Sequence, residues 1–163
     1  MKEIFSEKLP RILKNKKRLE GILNIKITKE AGNIFIHGES EDEYIAEKVI
    51  DALNFGFPFS IATSIKKEDL IFEVLNIKDY TNRKDLSSVR ARIIGKMGKT
   101  LKILSELTNC HFELKDNEVG IIGSPEDIKD GQESIISIIR GAKQSNVYSF
   151  AKKRKITKLD SKE

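Results

Sequence analysis

Tryptophan is absent from this chain of 163 residues, and cysteine, histidine and proline number only one, two and three. The single thiol, Cys110, cannot close an internal disulfide, which fits a reducing compartment and a fold that stands on its packed core. One cysteine and two histidines cannot assemble a four-ligand zinc site without carboxylates. His111 beside Cys110 therefore reads as the start of a strand, and no metal site is expected. No apolar stretch approaches membrane length, and residues 1–8 lack the apolar run of a secretion signal. No histidine is set in a motif with a nucleophile, and the carboxylates scatter over helix faces, so no catalytic constellation forms. The expectation is a cytoplasmic protein, not an enzyme, with no cofactor and no membrane partner.

What is present is charge: 30 Lys+Arg against 25 Asp+Glu, a net +5. Its placement says more than its sum. Lys14, Lys16, Lys17 and Arg18 cluster near the start, and Lys152, Lys153, Arg154 and Lys155 near the end. Basic patches attract polyanions through counterion release; they also serve as plain solvated helix faces.

Hydrophobic periodicity divides the chain into two similar runs. In the first, a short strand is expected over 2–5 and a helix over 7–18, crossed by Pro10. A further helical piece covers 19–23, and strands follow over 24–29 and 34–37, joined by a connection longer than two residues. An acidic helix start at Glu39 leads into a long apolar stripe. The stretch 54–58 ends that helix, and another runs over 59–66. Phe55, Phe57 and Phe59 could stack bases, although packing between domains is the commoner use of such a cluster. The second run repeats the order: a strand over 70–77, a polar loop over 79–84, a helix capped by Asp85 or Ser87, then a glycine turn and a helix. Strands over 110–115 and 119–122 follow, and then a helix opening at Ser124 with Pro125 in its first turn. The expected fold class is α+β, duplicated at about 80–90 residues, each half a compact three-stranded sheet covered by helices.

Residues 93–107 carry the chemistry. Gly95-Lys96-Met97-Gly98 separates two helical patterns, and Met97, Leu101, Ile103, Leu104 and Leu107 recur at helical spacing. Lys96, Lys99 and Lys102 lie on or beside the other face. Glycines permit close backbone approach and dihedrals that a Cβ forbids, and amides at a helix N-terminus favour an anion. Lysines make that anion a phosphate. This is the pattern of the GXXG loop of a KH module, which clamps about four nucleotides by their backbone. Gly98-Lys99-Thr100 imitates the end of a Walker P-loop, but that motif needs four residues between its glycines and a strand before them. Gly120-Ile121-Ile122-Gly123 repeats the bare spacing inside an expected strand and is a decoy.

The stretches 70–80, 92–100 and 141–148, with Asn146-Val147-Tyr148 closing the last, resemble one family: the two-KH small-subunit ribosome assembly factors that partner the Nob endonuclease, in their short archaeal form. The resemblance implies two tandem type I KH domains. The expected boundaries are 1–68 for a degenerate first domain with a connector helix, 69–147 for a second with the GXXG loop, and 148–163 for a basic tail, partly helical or disordered. It implies binding of single-stranded rRNA near the 3′ end of the small-subunit RNA, help to the maturation endonuclease, and a monomer that partners a Nob-type endonuclease and a RIO-type kinase. Carried over by residue, Gly95, Lys96, Met97 and Gly98 clamp RNA, and Arg92, Lys99 and Lys102 contact phosphates. Ile94, Ile103 and the strand around Phe112 line the groove for bases; Ile103 could equally be core. The first half departs from the pattern, with Lys14-Asn15-Lys16-Lys17 where the glycines should fall. It is expected to be a scaffold with auxiliary charge. Alternative roles are a protein adaptor for the endonuclease, kinase or an initiation factor, and an accessory subunit of an RNA-degrading complex.

Overall fold

The computed structural model describes residues 1–4 and 9–161, which divide into two compact units after Phe72. In the first unit the order is β1 (Lys2–Ile4), α1 (Leu9–Lys14), α2 (Lys16–Leu23), β2 (Lys26–Glu30), β3 (Asn33–His37), α3 (Ser40–Phe55) and α4 (Phe59–Lys67). Phe5, Glu7 and Lys8, expected in the first strand and helix, lie outside the described residues. The strands pair in the order β1-β3-β2, with β3 antiparallel to both neighbours. Alternation puts Ile27, Ile34 and Ile36 on the buried face, where Ile12, Leu19, Leu23, Ile50 and Leu53 meet them in the core. Each such side chain contributes roughly 1.5–3 kcal/mol on burial.

Two expectations are corrected here. The helix expected over 7–18 breaks at Asn15, and what followed as a separate piece is one helix from Lys16. Asn15 turns its side-chain amide back onto the Arg11 carbonyl (2.9 Å), the local bond that lets asparagine compete with helix continuation. The β2–β3 connection is also shorter than expected. Glu30 pairs with Asn33, leaving Ala31 and Gly32 as a two-residue turn with φ of 50° and 84°. Positive φ at both central positions suits the twist of a tight hairpin; Ala31 hid the signal because alanine seldom adopts it.

From β4 (Ile71–Asn76), within which the division falls, the second unit runs α5 (Leu86–Ile94), α6 (Lys99–Thr108), β5 (His111–Lys115), β6 (Glu118–Gly123), α7 (Ile128–Ile139) and α8 (Gln144–Ser161). Its strand order, β4-β6-β5, again places the third strand of the unit in the middle. From Lys26 to His111, and from Asn33 to Glu118, equivalent strands lie 85 residues apart. β6 is buried from Val119 to Gly123, which disposes of its Gly-x-x-Gly spacing as a loop. Cys110 is a packing residue: burial pushes its thiol up to about 11. A Cβ added at Gly123 or Gly131 would fall 2.7 or 2.8 Å from its Sγ, so glycine lets α7 seat against the sheet.

One further expectation fails, and the two states expected for the tail narrow to helix over the described residues. Pro125 is not in the first turn of α7. The Asp127 amide donates to the Ser124 carbonyl (3.0 Å) and to the Ser124 hydroxyl, forming a turn, and the helix begins at Ile128. Pro fits the second position of such a turn as well as the start of a helix. The basic tail is a helix: α8 crosses the expected boundary at 147/148 and buries Val147 and Ala151 against α6 and α7.

Candidate nucleic-acid interface

Asp85 starts α5 by accepting hydrogen bonds from the Ser88 amide (3.3 Å) and from the hydroxyls of Ser87 (2.6 Å) and Ser88 (2.5 Å). Val89 and Ile93, one turn apart, bury its inner face. Arg90 holds the helix to the β5–β6 turn through the Asn117 side chain. The helix stops at Gly95, whose φ of 77° and ψ of 171° lie in a region open essentially to glycine alone. Space dictates the same residue: a Cβ on Gly95 would stand 2.1 Å from the Thr100 Oγ1 and 2.7 Å from its amide nitrogen. Lys96–Gly98 then forms one tight turn, closed by the Gly98 amide donating to the Gly95 carbonyl (3.1 Å). Met97 and Gly98 both have positive φ, 54° and 76°. Gly98 faces open space, so its glycine serves dihedral freedom and outside access rather than packing.

This backbone turns the loop outward. Met97 is 98% exposed, and Lys96, Lys99 and Lys102 are exposed beside it. None of these lysines has a salt bridge among the described residues. The expectation that Met97 shares the apolar stripe of α6 is corrected. The buried stripe is Thr100, Leu104 and Thr108, and the positive φ of Met97 sends its side chain to solvent. Ile94 is 39% exposed while adjacent Ile93 is buried; Ile103 is half-buried while Leu104 is fully buried; Phe112 is half-buried on β5. Gly98 precedes α6 without offering a side-chain cap; the Gly98 and Lys99 amides donate to the Gly95 and Lys96 carbonyls, and the positive end of the helix remains for an external anion. A cationic rim, a helix N-terminus and partly exposed apolar residues can hold a phosphodiester backbone on one side and bases on the other.

Arg92 is placed differently from its expected neighbours. Its guanidinium donates to the carbonyls of Ile138 (2.9 Å) and Ala142 (2.5 Å), at and just beyond the end of α7. The Walker alternative does not fit: helix α5 precedes the loop, two residues separate its glycines, and Thr100 is 4% exposed. The phenylalanine cluster offers little to a base. Phe57 is buried, Phe55 nearly so, their rings 6.0 Å apart, and the Arg18 guanidinium lies 4.2 Å from the Phe59 ring centroid.

The family model for the eukaryotic-type KH domain (KH-domain type I), in the form of the second domain of PNO1, matches residues 71–156. The chain belongs to the PNO1-type KH family. It is 26% identical over 147 residues to a KH domain-containing protein of Methanocaldococcus jannaschii, covering 86% of this chain and 65% of that one. It is 29% identical over 111 residues to the pre-rRNA-processing protein pno1 of Emericella nidulans, covering 66% of this chain and 43% of that one. It thus spans less than two thirds of the length of either relative. The Dim2p of Pyrococcus horikoshii, solved in a complex with a/eIF2alpha and rRNA, superposes with a TM-score of 0.79 at 27% identity, over 88% of this chain and 84% of that one.

In this PNO1-type unit, α8 supports the loop, a role the sequence reading did not assign. The Tyr148 hydroxyl lies 3.2 Å from the Oγ1 of Thr100, the atom against which Gly95 packs. One turn earlier, the Gln144 side-chain amide donates to the Arg92 carbonyl (3.4 Å). Thus α8 touches both sides of the hinge, before Gly95 and after Gly98. Further along, Lys155 donates to the Glu106 carbonyl (3.0 Å), while Lys158 reaches Asp130 (2.5 Å), Asp127 (3.2 Å) and the Glu126 carbonyl (2.8 Å). Burial works against the Lys158 ammonium, but the two carboxylates more than offset it and its pKa lies above the usual value. The sequence signals were a polar residue at a buried helix position, Thr100, and a tyrosine in the stretch that marks the family.

Proposed function

We propose that this chain is a non-catalytic RNA-binding factor of small-subunit pre-rRNA processing. Its second unit grips single-stranded rRNA near the 3′ end, in reach of the maturation endonuclease. One observation carries the reading: three of the four residues Gly95–Gly98 adopt positive φ, all but Lys96, and the turn presents an exposed, unpaired lysine rim where α6 begins. Gly95–Gly98 form the clamp, with Lys96, Lys99 and Lys102 on phosphates and Ile94, Ile103 and Phe112 beside the bases. Arg92 serves this clamp as a positioning residue. The names of the relatives support the process, and the P. horikoshii complex supports the ligand.

The test replaces Lys96 and Met97 by aspartate. Both side chains are exposed, so the fold should be retained while carboxylates face phosphate. Affinity for a single strand matching the 3′ region of small-subunit rRNA, measured by fluorescence anisotropy, should fall at least tenfold, or about 1.4 kcal/mol. A change within about twofold, well under that figure, removes the clamp assignment.

A second reading, an adaptor with protein partners, is favoured by the a/eIF2alpha bound in the P. horikoshii complex. The partners it names are an initiation factor, a Nob-type endonuclease and a RIO-type kinase. Capture of any of them that survives RNase treatment supports it; capture that RNase abolishes leaves RNA as the primary ligand.

A further inference from the structure

Helix α5 has two flanks besides its buried face. Arg90 and Ile94, one turn apart, share the flank toward the β5–β6 turn. Ser88 and Arg92, also one turn apart, lie about 200° away from them, at about 100° per residue. Along this second flank runs a cavity of about 500 Å³, lined by Thr81, Arg83, Arg92, Ile139, Arg140 and Gly141. A smaller one of about 240 Å³, lined by Arg83, Lys84, Asp85 and Ser88, continues from Arg83 toward the start of α5. The residues along this trough carry four cationic side chains and one carboxylate, and that carboxylate already caps the helix.

The arginines are held but not neutralised. Arg92 spends two donors on carbonyls, which leaves three of the five a guanidinium carries. The Arg140 guanidinium lies 5.7 Å from the ring centroid of Tyr80. The Arg83 amide donates to the Thr81 hydroxyl (3.2 Å), which fixes the loop that presents it. No salt bridge to Arg83, Arg92 or Arg140 occurs among the described residues. The nearby end of α7 carries the equivalent of about half a negative charge, which three guanidinium groups outweigh. Planar forked donors are the usual partner of phosphate oxygens.

We propose that this arginine trough is a second phosphate-binding site, separate from the glycine loop, and that it takes the sugar–phosphate backbone of RNA extending beyond the clamp. The inference rests on the RNA-binding reading above and is tested so that the two can fail separately. Variant Arg83→Gln/Arg140→Gln is compared with the wild type and with Lys152→Gln/Lys153→Gln, an equal loss of charge on exposed positions of α8. Each is titrated with a tetranucleotide, which the clamp alone can fill, with a single strand several times longer, and with a mononucleotide.

The arginine variant should bind the long strand roughly tenfold more weakly. Its salt dependence should be shallower by about 1.4, the slope expected for two phosphate contacts on a single strand. Its tetranucleotide affinity should stay at the wild-type value, and the α8 variant should keep the wild-type slope. Arginine-dependent binding of the mononucleotide without an effect on the long strand keeps the phosphate site but makes its source a free nucleotide. An unchanged slope with no mononucleotide binding, or equal losses in both double variants, overturns the proposal. Failure of the wild type to bind the tetranucleotide overturns the clamp instead and leaves the trough to be judged on the other two ligands.

Discussion

The two units solve one topological problem in two ways. Each must turn from a first helix into a second before its hairpin. The first unit does so at Asn15, which keeps an ordinary φ of −101° and folds its side chain onto its own helix. The second unit does so with positive φ at Gly95, Met97 and Gly98. The first solution consumes the local polar group and brings Lys14 and Lys16 directly into the flanking helices. The second projects Met97 into solvent and leaves α6 without a side-chain cap. Equal sheets and comparable basic residues therefore do not make equal turns; on the proposed reading, the backbone of the turn decides whether a phosphate can come close.

The comparison is sharpest at the glycines themselves. Gly95→Ala combines a contact of 2.1 Å with Thr100 and a dihedral region that alanine avoids. Overpacking and backbone strain each cost about 1–3 kcal/mol, so a loss of about 2–6 kcal/mol is expected in denaturant unfolding. Gly98→Ala meets nothing within 4 Å and should lose only about 1 kcal/mol for the left-handed backbone, yet its methyl group stands where RNA would lie, so affinity should fall more than stability does. Equal stability losses at the two positions would mean that the hinge is not built as described. In the first unit, Lys14→Asp/Lys17→Asp should weaken RNA binding by no more than about threefold, under 1 kcal/mol. A larger loss would erase the distinction between the hinges.

Much of this was legible in the chain, because hairpins and buried helix faces leave a period. The hinge was legible as a turn between two helical patterns; a plain helical hairpin uses the same glycines, and the strands and helix that follow decided for the KH pattern. What escaped has identifiable causes. Helix α8 buries little beyond Val147 and Ala151 and is fastened by Lys155 and Lys158 reaching carbonyls and carboxylates, so it has almost no apolar period. Arg92 entered as a phosphate contact through the family resemblance alone, and its structural partners, Ile138 and Ala142, lie about fifty residues away in the chain, out of reach of local pattern. Pro125 fits a turn and a helix start equally well, and only the tertiary placement of Ser124 and Asp127 chooses between them.

A smaller effect separates support from contact. Tyr148 touches Thr100 rather than the exposed loop. Tyr148→Phe removes one hydrogen bond, about 1 kcal/mol. It should lower RNA affinity two- to threefold and speed amide exchange at Met97–Thr100, with the exchange of α2 unchanged. Exchange that stays slow while affinity falls would place Tyr148 in the RNA contact itself.

The last asymmetry is one of charge at the start of the helices. Asp85 caps α5, and hydrogen bonds from the Ser87 and Ser88 hydroxyls, followed by the Ser88 amide, hold its carboxyl at about 2, below the usual 3.8. A carboxyl depressed in the fold contributes stability above its unfolded value and loses it as pH falls through the folded one. The stability difference between wild type and Asp85→Ala should therefore hold steady from neutral pH down to about 5, then close as pH falls from about 4 to about 2. Asn15, uncharged and without a side-chain bond to the α2 amides, gives the start of α2 no such dependence. Amide exchange in α5 and α2, followed through the same pH range, reads the two separately: α5 should loosen on acidification by this route and α2 should not. A parallel loosening of both helices would trace the acid effect to the fold at large and not to the cap.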